Sequence, residues 1–236
     1  MIPDRSWLKS RWQFWTEDRE QTPLEETWNT WSAALGLVLF LGAGFWFFQQ
    51  PELWRNPVLG LGVLAFCVTC WLTHLASTLY HGARPATEEK RWFLLLDHSA
   101  ILLLIAGSYT PFALILLTET AAWWLVGLEW VLAVTGLALL WWCRPLFQRV
   151  SVVFYLTMGW LGIFFAPALV SGVAPLILWL LLAGGLAYTF GVVFFLWKRL
   201  QFSHLVWHGF VLAGGVAHFL ALGIWMVDRS GGMAAG

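Results

Sequence analysis

The chain is predicted to fold as an all-α integral membrane protein, a bundle of seven transmembrane helices. Three observations predict this. Of its 236 residues, 60% are hydrophobic and only 11% are charged, against about 25% charge in a soluble domain. Mean hydropathy is +0.72. The apolar residues fall in seven runs, each near the roughly 17–25 residues that a spanning helix needs. Within hydrocarbon every backbone N–H and C=O must be satisfied inside its own segment, which leaves helices as the spanning structure.

Residues 1–27 form a polar, charged lead-in without the apolar core of a signal peptide. Trp7, Trp12, Phe14 and Trp15 within it suit an amphipathic helix lying at the membrane interface. The seven-helix domain is expected over 28–227, with spans at 28–49, 57–81, 92–117, 122–142, 150–171, 174–197 and 204–227. Only Ser171-Gly172-Val173-Ala174-Pro175 separates the fifth from the sixth. Residues 228–236 are expected to be a short tail without regular structure. The 19 Trp suit a membrane protein whose indoles sit at headgroup level. Cys67, Cys70 and Cys143 lie in or beside apolar runs and offer no disulfide framework. A formal net charge of zero argues against a nucleic-acid partner.

Basic residues are sharply partitioned. Arg5, Lys9, Arg11 and Arg19 precede the first span, and Arg84, Lys90 and Arg91 lie between the second and third. Arg144 and Arg149 lie between the fourth and fifth, and Lys198 and Arg199 between the sixth and seventh. The opposite side holds only Arg55 and Arg229. By the positive-inside rule the N-terminus is cytoplasmic and the C-terminus outside.

This orientation places the histidines in depth. His204 and His208 open the seventh span, one helical turn apart on one face. His81 ends the second span and Asp97 opens the third, both toward the same membrane face. Three imidazoles with an open fourth position for water match the catalytic form of a zinc site, although imidazole also suits iron, copper and nickel. Asp97 is cast as partner of the water rather than as a ligand. Ser77, one turn before His81, is within reach of the ligands. Ionisable residues inside a membrane are functional by default.

Other polar groups read as structural. Cys67, Cys70 and His74 share a stripe with Ser77 and His81, but Cys70 sits about 16 Å from His81 along the helix. Buried cysteines in apolar helices mostly pack. His98 faces a different direction from Asp97, and His218 lies about 15 Å beyond His208 as a packing or cavity histidine. Glu129 stands alone within the fourth span without an assigned role.

Ser77-x-x-x-His81, Asp97 and His204-x-x-x-His208 together resemble the progestin and adipoQ receptor family, whose bacterial branch is haemolysin III. Glu26-Thr27-Trp28-Asn29-Thr30-Trp31 is similar to the family's opening Glu-x-x-Asn-x-Trp motif. Gly107-Ser108-Tyr109-Thr110-Pro111, Met158-Gly159-Trp160 and Tyr188-Thr189-Phe190-Gly191 match as well, over about residues 25–220 in all. Ala33 stands where that opening motif commonly carries a histidine, which leaves helix packing as the motif's expected role. The resemblance implies seven helices in a bacterial inner membrane, the N-terminus cytoplasmic, zinc on His81, His204 and His208, and Asp97 near a zinc-bound water.

The resemblance also implies a choice of activity. The first expectation is a zinc-dependent, ceramidase-like hydrolase of a lipid amide or ester, with Asp97 taking the proton and Ser77 supporting the ligands. The alternatives are a receptor or membrane-homeostasis protein with structural zinc, and a cytolysin, against which the absence of an amphipathic pore lining argues. His204 and His218, fourteen apart, give weak support to paired haems. Retinal is excluded because no lysine lies within the seventh span. A membrane lipid is the expected ligand or substrate, and no protein partner is indicated.

Overall fold

The computed structural model of the protein describes residues 21–165 and 174–234. The interfacial helix expected around Trp7–Trp15, the basic cluster Arg5–Arg19 and most of the Ser171–Pro175 connection lie outside them. Seven helices are long and apolar enough to cross a membrane: α1 (Pro23–Phe48), α2 (Pro57–Gly82), α3 (Glu88–Leu116), α4 (Glu119–Trp142), α5 (Arg144–Trp160), α6 (Pro175–Leu196) and α7 (Ser203–Ala234). A short helix, Pro51–Arg55, links α1 to α2. There is no strand among the described residues.

Helix ends follow local capping rather than hydropathy. α1 starts ahead of its apolar run because Thr22 and Glu25 form a capping box. Thr22 Oγ1 accepts from the Glu25 N–H (3.2 Å), and Glu25 Oε2 accepts from the Thr22 N–H (2.9 Å). Asn56 caps α2 by accepting from Leu59 N–H, and Thr87 caps α3 by accepting from Lys90 N–H, both at 3.2 Å. At the other extreme, α7 continues through Ala234 instead of stopping near 228. Arg229 lies 5.1 Å from the ring centroid of Trp225, an i, i+4 cation–π pair that supports those last turns.

The helices close a ring. α1 packs along α2, α2 along α3, α3 against α4, α4 against α5, α6 along α7, and α7 returns to α1. α3 also touches α5 and α7, and α5 meets α6 only lightly among the described residues. Phe219 of α7 anchors the core, with ring centroids 4.8 Å from Phe40, 5.4 Å from Phe47 and 4.6 Å from Phe66. A second cluster, built on Leu102, Ala133, Leu140, Phe147 and Met158, joins α3, α4 and α5. Trp31, Phe45, Trp124, Phe164 and Trp179 point outward, where lipid is the solvent.

Four indoles act as struts between helices, a use that headgroup anchoring does not cover. Trp71 Nε1 donates to Phe40 O (2.8 Å), and Trp130 Nε1 donates to Thr110 Oγ1 (3.1 Å). Trp141 Nε1 donates to Ser99 Oγ (3.2 Å) and Trp160 Nε1 to Thr189 Oγ1 (3.0 Å). After Trp160, α5 tightens into a 3-10 segment, Leu161–Phe165. The Tyr109 hydroxyl spans that change, donating to Gly159 O (2.8 Å) and accepting from Gly162 N–H (2.9 Å). Backbone groups freed at the transition are thereby satisfied without water.

α2 and α3 approach closely at Gly107. A Cβ there would collide with Thr69 Oγ1 and lie 2.9 Å from Thr69 Cβ. Gly107→Ala is therefore expected to cost about 1–3 kcal/mol by overpacking, read as a lower unfolding midpoint in detergent; an unchanged midpoint contradicts the close approach. The charge partition sets a second expectation. Alkaline phosphatase fused after Gly236 should be active and a fluorescent protein fused there dark, with the reverse pattern contradicting the orientation.

Candidate metal centre

The end of α2 and the start of α7 meet at one end of the bundle, and α1 starts there too. His81, His204 and His208 each offer a ring nitrogen, and these atoms all lie within 4.8 Å of one another. Ring centroids are 4.8 Å apart for His81–His204, 5.1 Å for His81–His208 and 4.7 Å for His204–His208. The last pair follows directly from i, i+4 spacing on α7. His81 joins it because α2 runs antiparallel to α7.

Hydrogen bonds select the tautomers. His81 is 3% exposed, and its Nδ1 lies 2.6 Å from Glu26 Oε2. The Glu26 carboxylate can only accept, so Nδ1 carries the proton and the Nε2 lone pair is left available. That Nε2 is buried without a hydrogen-bond partner among the described residues. Glu26 is in turn held by Lys90, whose ammonium donates to Oε1 (2.8 Å) and to Tyr80 O (3.0 Å). At His208, Ser32 Oγ donates to Asn29 O (2.9 Å) and lies 2.8 Å from Nδ1. Ser32 therefore accepts from Nδ1–H, which makes Nε2 the acceptor, here engaged by Ser77 Oγ at 3.3 Å; with Nε2 given to an ion, that hydroxyl would have to turn away.

An orphaned, buried imidazole nitrogen beside two more imidazoles is the donor set of a divalent metal site, and the three histidines fit one. Three neutral rings with converging lone pairs repel one another; a shared cation removes that repulsion.

Ser77 and Asp97 line, with His208, one internal cavity of about 140 Å³. Ser77 lies beside Asp97 as well as against His208. The other polar residues sit apart from the triad. His74 Nδ1 bonds Cys70 O (2.9 Å), while Cys67 and Cys70 are fully packed. His98 Nδ1 bonds Leu94 O (3.0 Å) on its own helix. His218 lines the far part of the cavity. Both Glu129 oxygens are buried without a hydrogen-bond partner among the described residues.

Glu26, Ser32 and Lys90 are the residues that sequence reasoning missed. The opening motif does more than pack helices, because Glu26 and Ser32 each hold a candidate ligand. The available signal was position: Glu26 begins a span at the membrane face where His81 ends one. Glu26→Ala should lower divalent-metal affinity by about 10–100-fold, the usual effect of losing a ligand's hydrogen-bond partner. Chelator competition on the purified protein checks this, and unchanged affinity contradicts it.

The chain matches the family model described as haemolysin-III related over residues 21–219. Hemolysin-3 of Bacillus cereus is 42% identical over 163 residues, covering 68% of this chain and 74% of that protein. The Hemolysin-3 homolog of Bacillus subtilis (strain 168) is 38% identical over 157 residues, covering 66% and 73%. The monocyte to macrophage differentiation factor of Homo sapiens is 29% identical over 173 residues, covering 70% and 67%. No solved structure matches. Seven apolar helices and these relatives make this an integral membrane protein that belongs to the haemolysin III branch of the progestin and adipoQ receptor family.

Proposed function

We propose that this chain is a zinc-dependent hydrolase that cleaves an amide or ester bond of a membrane lipid, with its site at the cytoplasmic leaflet. The observation that carries the reading is the cavity. His208, Ser77 and Asp97 line it together with Ile101, Leu104, Val192 and Val211, so one candidate ligand and an acid share a cavity whose surface is mainly apolar, while His81 and His204 lie outside its lining. Such a cavity suits an acyl chain, with the scissile carbonyl beside His208. His81, His204 and His208 would hold the ion, which when bound supplies a Lewis acid for the carbonyl and lowers the pKa of water.

The rest of the chemistry belongs to the chain's own residues. The Asp97 carboxylate takes a proton from the attacking water as its oxygen bonds to the lipid carbonyl carbon. The C–N or C–O bond then breaks, and Asp97 returns the proton to the departing amine or alcohol. With His208 Nε2 given to the ion, the Ser77 hydroxyl is left to donate to the Asp97 carboxylate and hold it in place. Apolar walls exclude bulk water and strengthen each of these interactions. Lysis, suggested by the name of the Bacillus cereus relative, gains no support from a cavity whose surface is mainly apolar.

Asp97→Asn should lose about 10²–10⁴-fold in lipid turnover while binding zinc like the wild type, and His208→Ala should lose both. The assay is release of fatty acid from vesicles carrying ceramide, other N-acyl lipids or phospholipid esters. Full turnover by Asp97→Asn contradicts the proposal. Zinc-loaded wild type that cleaves none of these lipids, yet unfolds on chelation, supports a structural metal in a receptor or homeostasis protein instead.

A further inference from the structure

We propose that Glu25 is a positioning residue for His204, acting through the backbone of Phe202. The inference rests on the reading that the three histidines hold zinc. It starts from an asymmetry among them. His81 is oriented by Glu26 and His208 by Ser32. The described residues place the rings of His81, His208 and Phe195 against His204, and Gln21, Glu25, Asn29 and Lys198 line a small pocket with it. With no hydrogen-bonding partner of its own among them, the His204 ring sits wherever the start of α7 puts it.

That start is held in an unusual conformation. Phe202, two residues before His204, has φ 57°, the left-handed region that a residue with a Cβ disfavours. Its carbonyl accepts from Val206 N–H (3.0 Å), so its conformation sets the phase of the helix. Its N–H donates to Glu25 Oε1 at 2.8 Å. Glu25 is 3% exposed and cannot swing, because its other oxygen accepts from both the N–H and the hydroxyl of Thr22, each at 2.9 Å. Its negative charge near the α7 N-terminus adds a favourable dipole contact. One carboxylate therefore caps α1 and fixes where α7 begins.

The consequence is geometric. Each residue on a helix turns by about 100°, so a one-residue slip at Phe202 would carry His204 and His208 off the face that meets His81. α1 then touches the placement of all three candidate ligands: Glu25 for His204, Glu26 for His81 and Ser32 for His208. The capping box is thus also part of the metal site's support.

The test is zinc affinity of the full chain in detergent, by chelator competition, together with the visible spectrum of the cobalt(II)-loaded protein. Glu25→Ala should weaken zinc by about 10-fold or more and alter the cobalt bands. Glu25→Gln, whose amide oxygen can still accept from Phe202 N–H while its amino group loses the bond from Thr22 N–H, should bind zinc more tightly than Glu25→Ala and less tightly than wild type. Adding Phe202→Gly to Glu25→Ala should restore most of the affinity, because glycine adopts the left-handed region freely. Should Glu25→Ala not fold, Glu25→Asp, which draws the carboxylate back by one methylene, takes its place. Wild-type affinity and spectrum in Glu25→Ala (or Glu25→Asp), or no rescue by Phe202→Gly, overturns the proposal and leaves Glu25 as a helix cap alone. Wild type that binds no zinc overturns the metal reading itself, which separates the two failures.

Discussion

Inside a bilayer there is no water to bond a stray polar atom, and this molecule is arranged around that constraint. Threonine and serine hydroxyls turn back onto carbonyls of their own helices, as Thr69 does on Ala65 O (2.8 Å) and Thr78 on His74 O (2.7 Å). Indole N–H groups find oxygens on neighbouring helices, and Tyr109 closes the gap where α5 changes pitch. Against that background His81 Nε2, buried without a hydrogen-bond partner among the described residues and beside two further imidazoles, is an atom in want of a ligand. The same constraint explains why the charged support for the site comes from the helix ends, where Glu26 and Lys90 remain partly accessible.

Helix α1 has the most unexpected place in this arrangement. It is the first element of the ring, yet it meets both α2 and α7, the two helices that supply the histidines. Glu26 and Ser32 lie on α1, and each reaches a ring nitrogen across a helix boundary. Ala33 lines the cavity next to Ser32, and it is Ser32 that makes the polar contact to His208 there.

Much of this was legible in the sequence, and for a physical reason. Long apolar runs report directly on span number, and the partition of basic residues on the direction of each span, so seven helices and a shared end for His81, His204 and His208 follow from the two together. Helix ends were less legible because capping decides them: Thr22 and Glu25 extend α1, and Trp225 with Arg229 supports the end of α7. The 3-10 segment after Trp160 depends on a tyrosine about fifty residues away in sequence, a tertiary contact that no local pattern carries. Glu26 was hidden for a similar reason. Beside a membrane face a glutamate usually meets solvent, and only the antiparallel return of α2 brings His81 to it.

The functional reading depends on three imidazoles from α2 and α7 forming a metal site. Zinc K-edge X-ray absorption on the purified full chain tests it most directly. The expected result is one zinc per chain, with a nitrogen-rich shell at about 2.0–2.1 Å and imidazole scattering that is reduced in His204→Ala. A shell dominated by sulfur at about 2.3 Å, as Cys67, Cys70 or Cys143 would produce, or a zinc shell unchanged in His204→Ala, would contradict it.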